Sequence, residues 1–228
     1  LRRYEICQFE RKAVDVNKPF SGWKEGFPFY APVLAAAVLL GFFPVIGWFA
    51  PVVALLGVCM ALFFRDFPRT ISAADHEVVS PADGTVVAIE DLDESPHYDG
   101  PTRRVSIFLS VFNAHLNRAP YPGTVTAVKY APGAFKDARL PETSQVNESN
   151  AVWMDTTRGP MTIRQISGAV ARRIVCPVGV GTTLTKGEKF GMIRFGSRTE
   201  LYLPAGTEVT VTLNQSVYAG TTVMARFQ

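Results

Sequence analysis

The chain has 228 residues, 47% of them apolar and only 19% charged, so it can bury a core without metal or disulfide support and is no disordered scaffold. Its formal net charge of +3 is too mild to point to nucleic acid, and no nucleic-acid partner is expected, although a weak preference for anionic lipid is compatible with it. The three cysteines, Cys7, Cys59 and Cys176, are too far apart for a metal motif or a disulfide framework; no metal is expected, and a reducing compartment is the simplest setting.

The apolar excess is concentrated near the start of the chain. About 39 residues, 26–64, contain no Asp, Glu, Lys or Arg. One upright membrane span needs roughly 20 residues, so this run is too long for one and barely enough for two. Pro32, Pro44 and Pro51 cut it, with Gly41 and Gly47 near the middle break. The pattern predicts short apolar helices over 31–43 and 51–64, joined by a Pro-Val-Ile-Gly turn, with Pro32 and Pro51 at first helical positions, where proline is tolerated. A shallow hairpin in one leaflet and two thin spans both fit these lengths; the blander reading is a helical hairpin buried in a soluble core. Arg11, Lys12, Lys18 and Lys24 precede the run and Arg65 and Arg69 follow it, which favours both ends on the cytoplasmic side. A cleaved signal peptide is not expected, because the run starts late and lacks a small-residue cleavage site.

From Val78 onward the chain reads as short β-rich runs cut by Gly and Pro, within 84–89, 104–109, 123–128, 151–155, 161–166 and 208–213. Helical stretches are expected near 111–116 and 168–174. Pro81-Ala-Asp-Gly-Thr-Val-Val-Ala and Tyr121-Pro-Gly-Thr-Val-Thr-Ala-Val echo each other, which suggests internal duplication. A third segment, beginning at Gln215, looks like the turn of biotinyl and lipoyl carrier domains, but it lacks the carrier lysine, which argues against a swinging arm. The expected fold class is mostly β (α+β): a quasi-duplicated sandwich or barrel-like catalytic domain over 71–228, with an N-terminal apolar helical hairpin in 1–70.

Four polar clusters stand out. Arg194-Phe195-Gly196-Ser197-Arg198 places a serine at a strand end, behind a glycine that accepts strained dihedrals. A hydroxyl facing a strained preceding carbonyl is what an N→O acyl shift needs, although most Gly-Ser pairs are plain turns. Ser80-Pro-Ala-Asp83-Gly84 has ordinary β-turn chemistry when taken alone. Asn113-Ala-His115-Leu-Asn117-Arg118 follows an apolar strand; His76 and His97 lie in polar stretches, so His115 is the histidine placed for acid–base work. Tyr130-Ala-Pro-Gly-Ala-Phe135 and Asn147-Glu148-Ser-Asn150 read as loops that can line a cleft.

Taken together and in order, Phe64-Arg-Asp-Phe-Pro-Arg69, Ser80-Pro-Ala-Asp-Gly84, Asn113-Ala-His-Leu-Asn-Arg-Ala-Pro120, Tyr130-x-Pro-Gly-x-Phe135, Asn147-Glu-x-Asn150, Gln165-Ile-x-Gly168, Gly191-Met-Ile-Arg-Phe-Gly-Ser-Arg198 and Tyr202-Leu-Pro204 resemble the phosphatidylserine decarboxylase proenzymes, closest to the short bacterial class. The resemblance runs from Phe64 to the C-terminus and implies a self-cleaving, pyruvoyl-dependent enzyme. Longer members carry a second histidine three residues after the first, where this chain has Arg118. The Asp–His–Ser triad that the resemblance implies for self-cleavage therefore cannot be carried over whole. Asp83 and Ser197 match; the histidine role falls to His115, to Arg118 in altered form, or to water.

The chemistry implied is that Ser197 attacks the Gly196 carbonyl and the ester eliminates, dividing the chain between 196 and 197 and leaving a covalent pyruvoyl group made from Ser197. That group supplies the electron sink an amino-acid decarboxylation requires, and no lysine here has a convincing pyridoxal phosphate context. His115 is the candidate proton donor. Arg118, a permanent cation, cannot be a general base; with Asn113 and Phe135 it is assigned to the lipid headgroup, a structural salt bridge being the bland alternative for it. The implied function is conversion of phosphatidylserine to phosphatidylethanolamine at the cytoplasmic membrane face, as part of phospholipid biosynthesis. The partners are the phospholipid, the membrane and the chain's own two fragments, with a homo-oligomer left open. The alternatives are decarboxylation of another serine-headed, ether-linked lipid, or a non-catalytic membrane-anchored β adaptor of biotinyl-like shape. Because the cleavage residues lie outside 26–64, the hairpin is expected to be dispensable for self-cleavage.

Overall fold

The computed structural model describes residues 20–169, 173–194 and 196–228. Cys7, Arg11, Lys12, Lys18 and Phe195 lie outside them, as do residues 170–172 within the stretch expected to be helical near 168–174.

Two helices come first, α1 (Gly22–Leu40) and α2 (Ala50–Phe63), linked through a 3₁₀ turn at Gly47–Phe49. Helix α2 begins as expected, with Pro51 in its first turn. Helix α1 corrects the sequence reading: it starts at Gly22, and Pro28 and Pro32 lie inside it. The reason is tertiary. The Gly22 amide donates to Asp66 at 3.2 Å, Trp23 Nε1 donates to the Asp66 carbonyl, and Glu25 pairs with Arg194 at 3.0 Å. These anchors hold a first turn that the prolines would otherwise disfavour. No described helix is long and apolar enough to cross a membrane.

The remaining elements are nearly all strands. In chain order they are β1 (Glu77–Val79), β2 (Gly84–Leu92), β3 (Thr102–Leu109), β4 (Leu116–Arg118), β5 (Gly123–Ala131), the short helix α3 (Thr143–Val146), β6 (Ser149–Thr156) and β7 (Gly159–Ser167). Then follow β8 (Ile174–Val175), β9 (Thr183–Leu184), β10 (Lys189–Ile193), β11 (Ser197–Pro204), β12 (Glu208–Val209), β13 (Ser216–Val217) and β14 (Val223–Arg226). The helix expected near 111–116 does not form. Asn113 Oδ1 takes hydrogen bonds from both the amide and the hydroxyl of Ser110, closing a turn instead. The strand expected over 208–213 stops at Val209, because Gln215 Oε1 takes the Thr212 amide and Asn214 turns the chain at φ 66°.

Eight antiparallel strands form a curled sheet in the order β13-β2-β3-β11-β7-β6-β5-β9; three-stranded sheets β1-β14-β12 and β4-β10-β8 pack beside it. The sequence echo is visible as two matching halves. Gly84 opens β2 opposite Val217, and Gly123 opens β5 opposite Leu184. Each strand then carries a bulge, between Val86 and Ala88 and between Val125 and Ala127. Each is bonded by a left-handed turn residue, Asn214 to the Val86 carbonyl and Gly181 to the Val125 carbonyl. Bulges tighten local twist, and a matched pair helps curl the sheet at both ends.

The concave side of the sheet is apolar. Val152, Met154, Ile163, Leu201 and Leu203 pack with Val78, Phe190 and Ala225 of the small sheets. Val86, Val105, Ile107 and Leu109 form a second cluster with Met224. Phe63 and Phe64, at the end of α2, join Leu116 and Met192, so the hairpin is seated on the β4–β10 sheet. Helix α1 lies close enough to Phe64 that a Cβ on Gly26 would fall 2.3 Å from its ring. Gly26→Val is expected to unseat Phe64 and to destabilise the protein by about 1–3 kcal/mol, the usual cost of overpacking, read as a lower thermal midpoint in detergent.

Candidate active site

Strand β11 sits between β3 and β7, with Ser197 opposite Leu109 on one side and Ser167 on the other. Alternation turns Ser197, Thr199, Leu201 and Leu203 to one face and Arg198, Glu200 and Tyr202 to the other. Ser197 is fully buried, and its Oγ has no hydrogen-bond partner among the described residues. A buried hydroxyl without a partner is costly; Ser106 and Thr162 share the feature, and Ser197 differs from them in following a glycine with positive φ.

The residue before it is held from two directions. Gly196 has φ 62°, in the left-handed region that favours glycine. Its amide donates to His115 Nε2 at 3.1 Å. Its carbonyl lies directly over Gly168: a Cβ there would be 2.2 Å from Gly196 O. Thus the carbonyl next to the Ser197 hydroxyl is clamped at both ends of its residue.

The partners of His115 define its tautomer. A backbone amide can only donate, so Nε2 carries a lone pair; Nδ1 is 2.9 Å from the Asn113 carbonyl, which can only accept, so Nδ1 carries the proton. The ring is fully buried, and the Phe63 ring lies 4.3 Å away, centre to centre. Burial pushes its pKa down to about 4 and Arg65 works the same way, against the Asn113 hydrogen bond and Asp83. His115 is therefore neutral near pH 7, with its lone pair one peptide unit from Ser197 Oγ.

The other sequence-nominated residues divide into separate places. Ala114, Leu116 and Arg118 point away from the side that carries His115 and Asn117. They line a small cavity with Arg65, Arg69 and Asp83. Its volume of about 20 Å³ has room for little more than one water. Asp83 does not touch His115: it forms a two-pronged ion pair with Arg69, at 2.6 and 2.7 Å, and accepts the Ala219 amide. Arg118 donates to the Gly187 carbonyl at 2.8 Å, and burial and Arg69 depress its pKa. Asn113 closes the 110–113 turn and offers its carbonyl to His115. Phe135 is 38% exposed on a loop whose neighbour Lys136 is bonded in both directions to Asn147. Asn147 also donates to the carbonyl of Ser167, the residue opposite Ser197, so that loop is tied to the site through one side chain.

Several contributors escaped the sequence reading. Gly168 and Arg69 closed matched motifs without a role assigned to them. Asn117 donates to Thr199 Oγ1 and accepts from Gln165, which accepts from Asn150, a fully buried chain holding β11 beside β4. On the opposite face, buried Glu200 accepts from Ser144 at 2.5 Å, Tyr202 at 2.8 Å and Arg164 at 3.3 Å. The hairpin also contributes. Arg194 pairs with Glu25 and lies over the Phe29 ring at 4.9 Å, and Phe63 covers His115. The stretch 26–64, expected to be dispensable for self-cleavage, thus packs against His115 through Phe63 and against Arg194 through Phe29.

Two outcomes follow from this geometry. Gly168→Ala is expected to slow any reaction at the Gly196 carbonyl at least tenfold, by displacing that carbonyl, while the protein still folds; scission followed by gel electrophoresis and circular dichroism checks both. The second concerns pH. The unfolded chain protonates His115 near pH 6.5, whereas the folded chain does so only near 4. Stability therefore falls as pH drops through that window, by on the order of 2–3 kcal/mol at its foot. Partly buried His97, also pushed down to about 4, adds in the same direction. Thermal midpoints of the Ser197→Ala protein should decline across the window, and less so with His115→Gln added.

Residues 56–225 match the family model described as phosphatidylserine decarboxylase. The phosphatidylserine decarboxylase proenzyme of Magnetococcus marinus is 43% identical over 209 residues, covering 90% of this chain and 94% of that protein. That of Nitrosomonas europaea is 43% identical over 205 residues, with the same coverage, and that of Burkholderia ambifaria is 41% identical over 206 residues, covering 90% of this chain and 95% of its own. With a family match over most of its length and such relatives end to end, the chain belongs to the phosphatidylserine decarboxylase family.

Proposed function

We propose that this chain decarboxylates phosphatidylserine to phosphatidylethanolamine, using a pyruvoyl group that it makes from its own Ser197. The observation that carries the reading is the unpartnered, buried Ser197 hydroxyl beside a clamped Gly196 carbonyl. In self-cleavage, Oγ attacks the Gly196 carbonyl carbon and the bond from that carbon to Ser197 N breaks, leaving an ester. Loss of the Ser197 α-proton then expels the Gly196 carboxylate, and hydrolysis of the resulting dehydroalanine releases ammonia. His115 Nε2, neutral and nearest to Gly196, is the acceptor for the hydroxyl proton once it lets go of the Gly196 amide. Asp83 acts at a distance, its charge raising the proton affinity of His115, and Arg118 cannot serve as base.

The residues present fit the group: Ser197 supplies its atoms, and the buried position holds the group inside the fold. Once formed, the pyruvoyl carbonyl supplies the electron sink for decarboxylation. The remaining work falls to side chains. Arg118, Arg69 and Arg65 favour the anionic headgroup, for which their cavity must open. Its phosphate and carboxylate oppose Arg65 and raise the proton affinity of His115, so the proton donor charges when substrate arrives.

The hairpin delivers the lipid. Leu39, Phe42, Phe43, Val45, Trp48 and Leu55 are each more than half exposed, an apolar surface that a bilayer covers. Helix α2, with 14 residues, is about 21 Å long, short of a hydrocarbon core of about 30 Å. The hairpin therefore lies in one leaflet, with the sheet on the cytoplasmic side, where the basic flanks hold it. An ether-linked serine lipid has the same headgroup, and parallel assays on both lipids separate the two substrates.

Intact-mass measurement tests the reading most directly. The purified protein is expected as two fragments divided at Gly196–Ser197, the smaller one blocked at its N-terminus. Ser197→Ala should remain uncut and inactive; a wild type that is active as one unmodified chain would overturn the proposal. Arg118→Ala should still cleave, with KM for the phospholipid raised about tenfold, the scale of one charge-assisted contact.

A further inference from the structure

The turn between β3 and β4 carries an apolar tip for which the sheet has no use. Ser110 donates to Asn113 through both amide and hydroxyl, and the Asn113 amide returns to the Ser110 carbonyl at 3.0 Å, which closes the turn tightly. Val111 and Phe112 stand at its apex, 45% and 85% exposed, and no exposed large apolar side chain among the described residues is more open than Phe112. A phenylalanine held out on a turn closed by three hydrogen bonds is not a loose loop residue. It is presented.

Its position indicates the partner. Arg65, just past the end of α2, donates to the Phe112 carbonyl and to the Leu62 carbonyl, which fixes the tip at the base of the hairpin. Around that base, Leu62, Phe67 and Phe29 are 49%, 59% and 42% exposed, so the apolar surface continues from the hairpin onto the sheet. Aromatic rings interleaved with an arginine are the composition of a membrane–water boundary, where rings enter the headgroup level and guanidinium groups meet anionic lipid. The same turn reaches the site: one residue beyond Phe112, the Asn113 carbonyl holds His115 Nδ1.

We propose that Val111 and Phe112 form a second membrane contact, entering the headgroup region of an anionic bilayer beside the hairpin. Through the Asn113–His115 hydrogen bond, this contact sets the height of the catalytic histidine above the lipid surface. The proposal rests on the reading that the hairpin lies in the bilayer. It goes beyond that reading in giving the catalytic sheet its own point of insertion.

The test uses the full-length protein and vesicles of phosphatidylcholine with phosphatidylglycerol, which is anionic but carries no decarboxylatable serine. An environment-sensitive fluorophore is placed at Phe112→Cys, or for comparison at the hairpin tip, Trp48→Cys, with Cys7, Cys59 and Cys176 changed to Ser. Fluorescence rising at both positions is expected. A rise at the hairpin tip alone overturns the proposal and leaves the hairpin reading standing; a rise at neither position overturns both. Phe112→Ser should weaken vesicle partition by about tenfold, the scale of one interfacial aromatic ring. It should lower turnover of bilayer phosphatidylserine similarly, without altering self-cleavage or turnover of a short-chain soluble analogue, and Phe112→Leu should restore most of the loss. If Phe112→Ser instead dissociates an oligomer in the absence of vesicles and leaves partition unchanged, the tip covers a second copy of the chain and the proposal fails.

Discussion

Strand β11 runs through the middle of the eight-stranded sheet, paired over its length with β3 and over most of it with β7. Everything at the site depends on that confinement. It buries the Ser197 hydroxyl where no described residue satisfies it, and it presses the preceding carbonyl onto the bare backbone of Gly168. An edge strand could relax by fraying; a central strand cannot, because relief at one residue would cost ladder bonds on both sides. The unfavourable geometry is thus supported by the whole sheet.

Polar networks on both faces of β11 keep its register. On the concave side, Thr199, Asn117, Gln165 and Asn150 form a continuous chain of amide and hydroxyl bonds. On the convex side, Glu200 gathers Ser144, Tyr202 and Arg164. Buried groups of this kind are costly when half satisfied and specific when complete. A slip of β11 by one residue would exchange the two faces and leave both networks unpaired inside the protein. The β11 contacts in these networks all lie on Thr199, Glu200 and Tyr202, beyond the Gly196–Ser197 bond, so the proposed scission would leave them in place.

The hairpin is joined to this machinery rather than appended to it. Phe63 covers the ring of His115, Phe64 fills the space left by Gly26, and Glu25 and Phe29 hold Arg194. The neutrality of His115 owes much to this cover, since burial is the main cause of its lowered pKa. An element with an exposed apolar surface therefore also lowers the proton affinity of a residue in the site.

The β-rich class, the duplicated Gly-Thr-Val strands, the apolar hairpin and the nomination of Gly196, Ser197 and His115 were legible along the chain. These are local signals: strand composition, repeated turn chemistry, an uncharged run, and motifs short enough to read along the chain. Tertiary structure alone decided the rest. Helix α1 extends through two prolines because Asp66 and Arg194, far along the chain, anchor its first turn. The stretch 111–116 is a turn because Asn113 finds Ser110, a competition that apolar spacing does not show. Asp83, read as a partner of the candidate histidine, is held by Arg69 and the Ala219 amide instead, and Arg118 faces their cavity rather than Ser197. Gly168 owes its place to a carbonyl 28 residues away (196 − 168). Composition and spacing carry information about neighbours along the chain, whereas a charge partner or a steric seat is set by which strands the fold brings side by side.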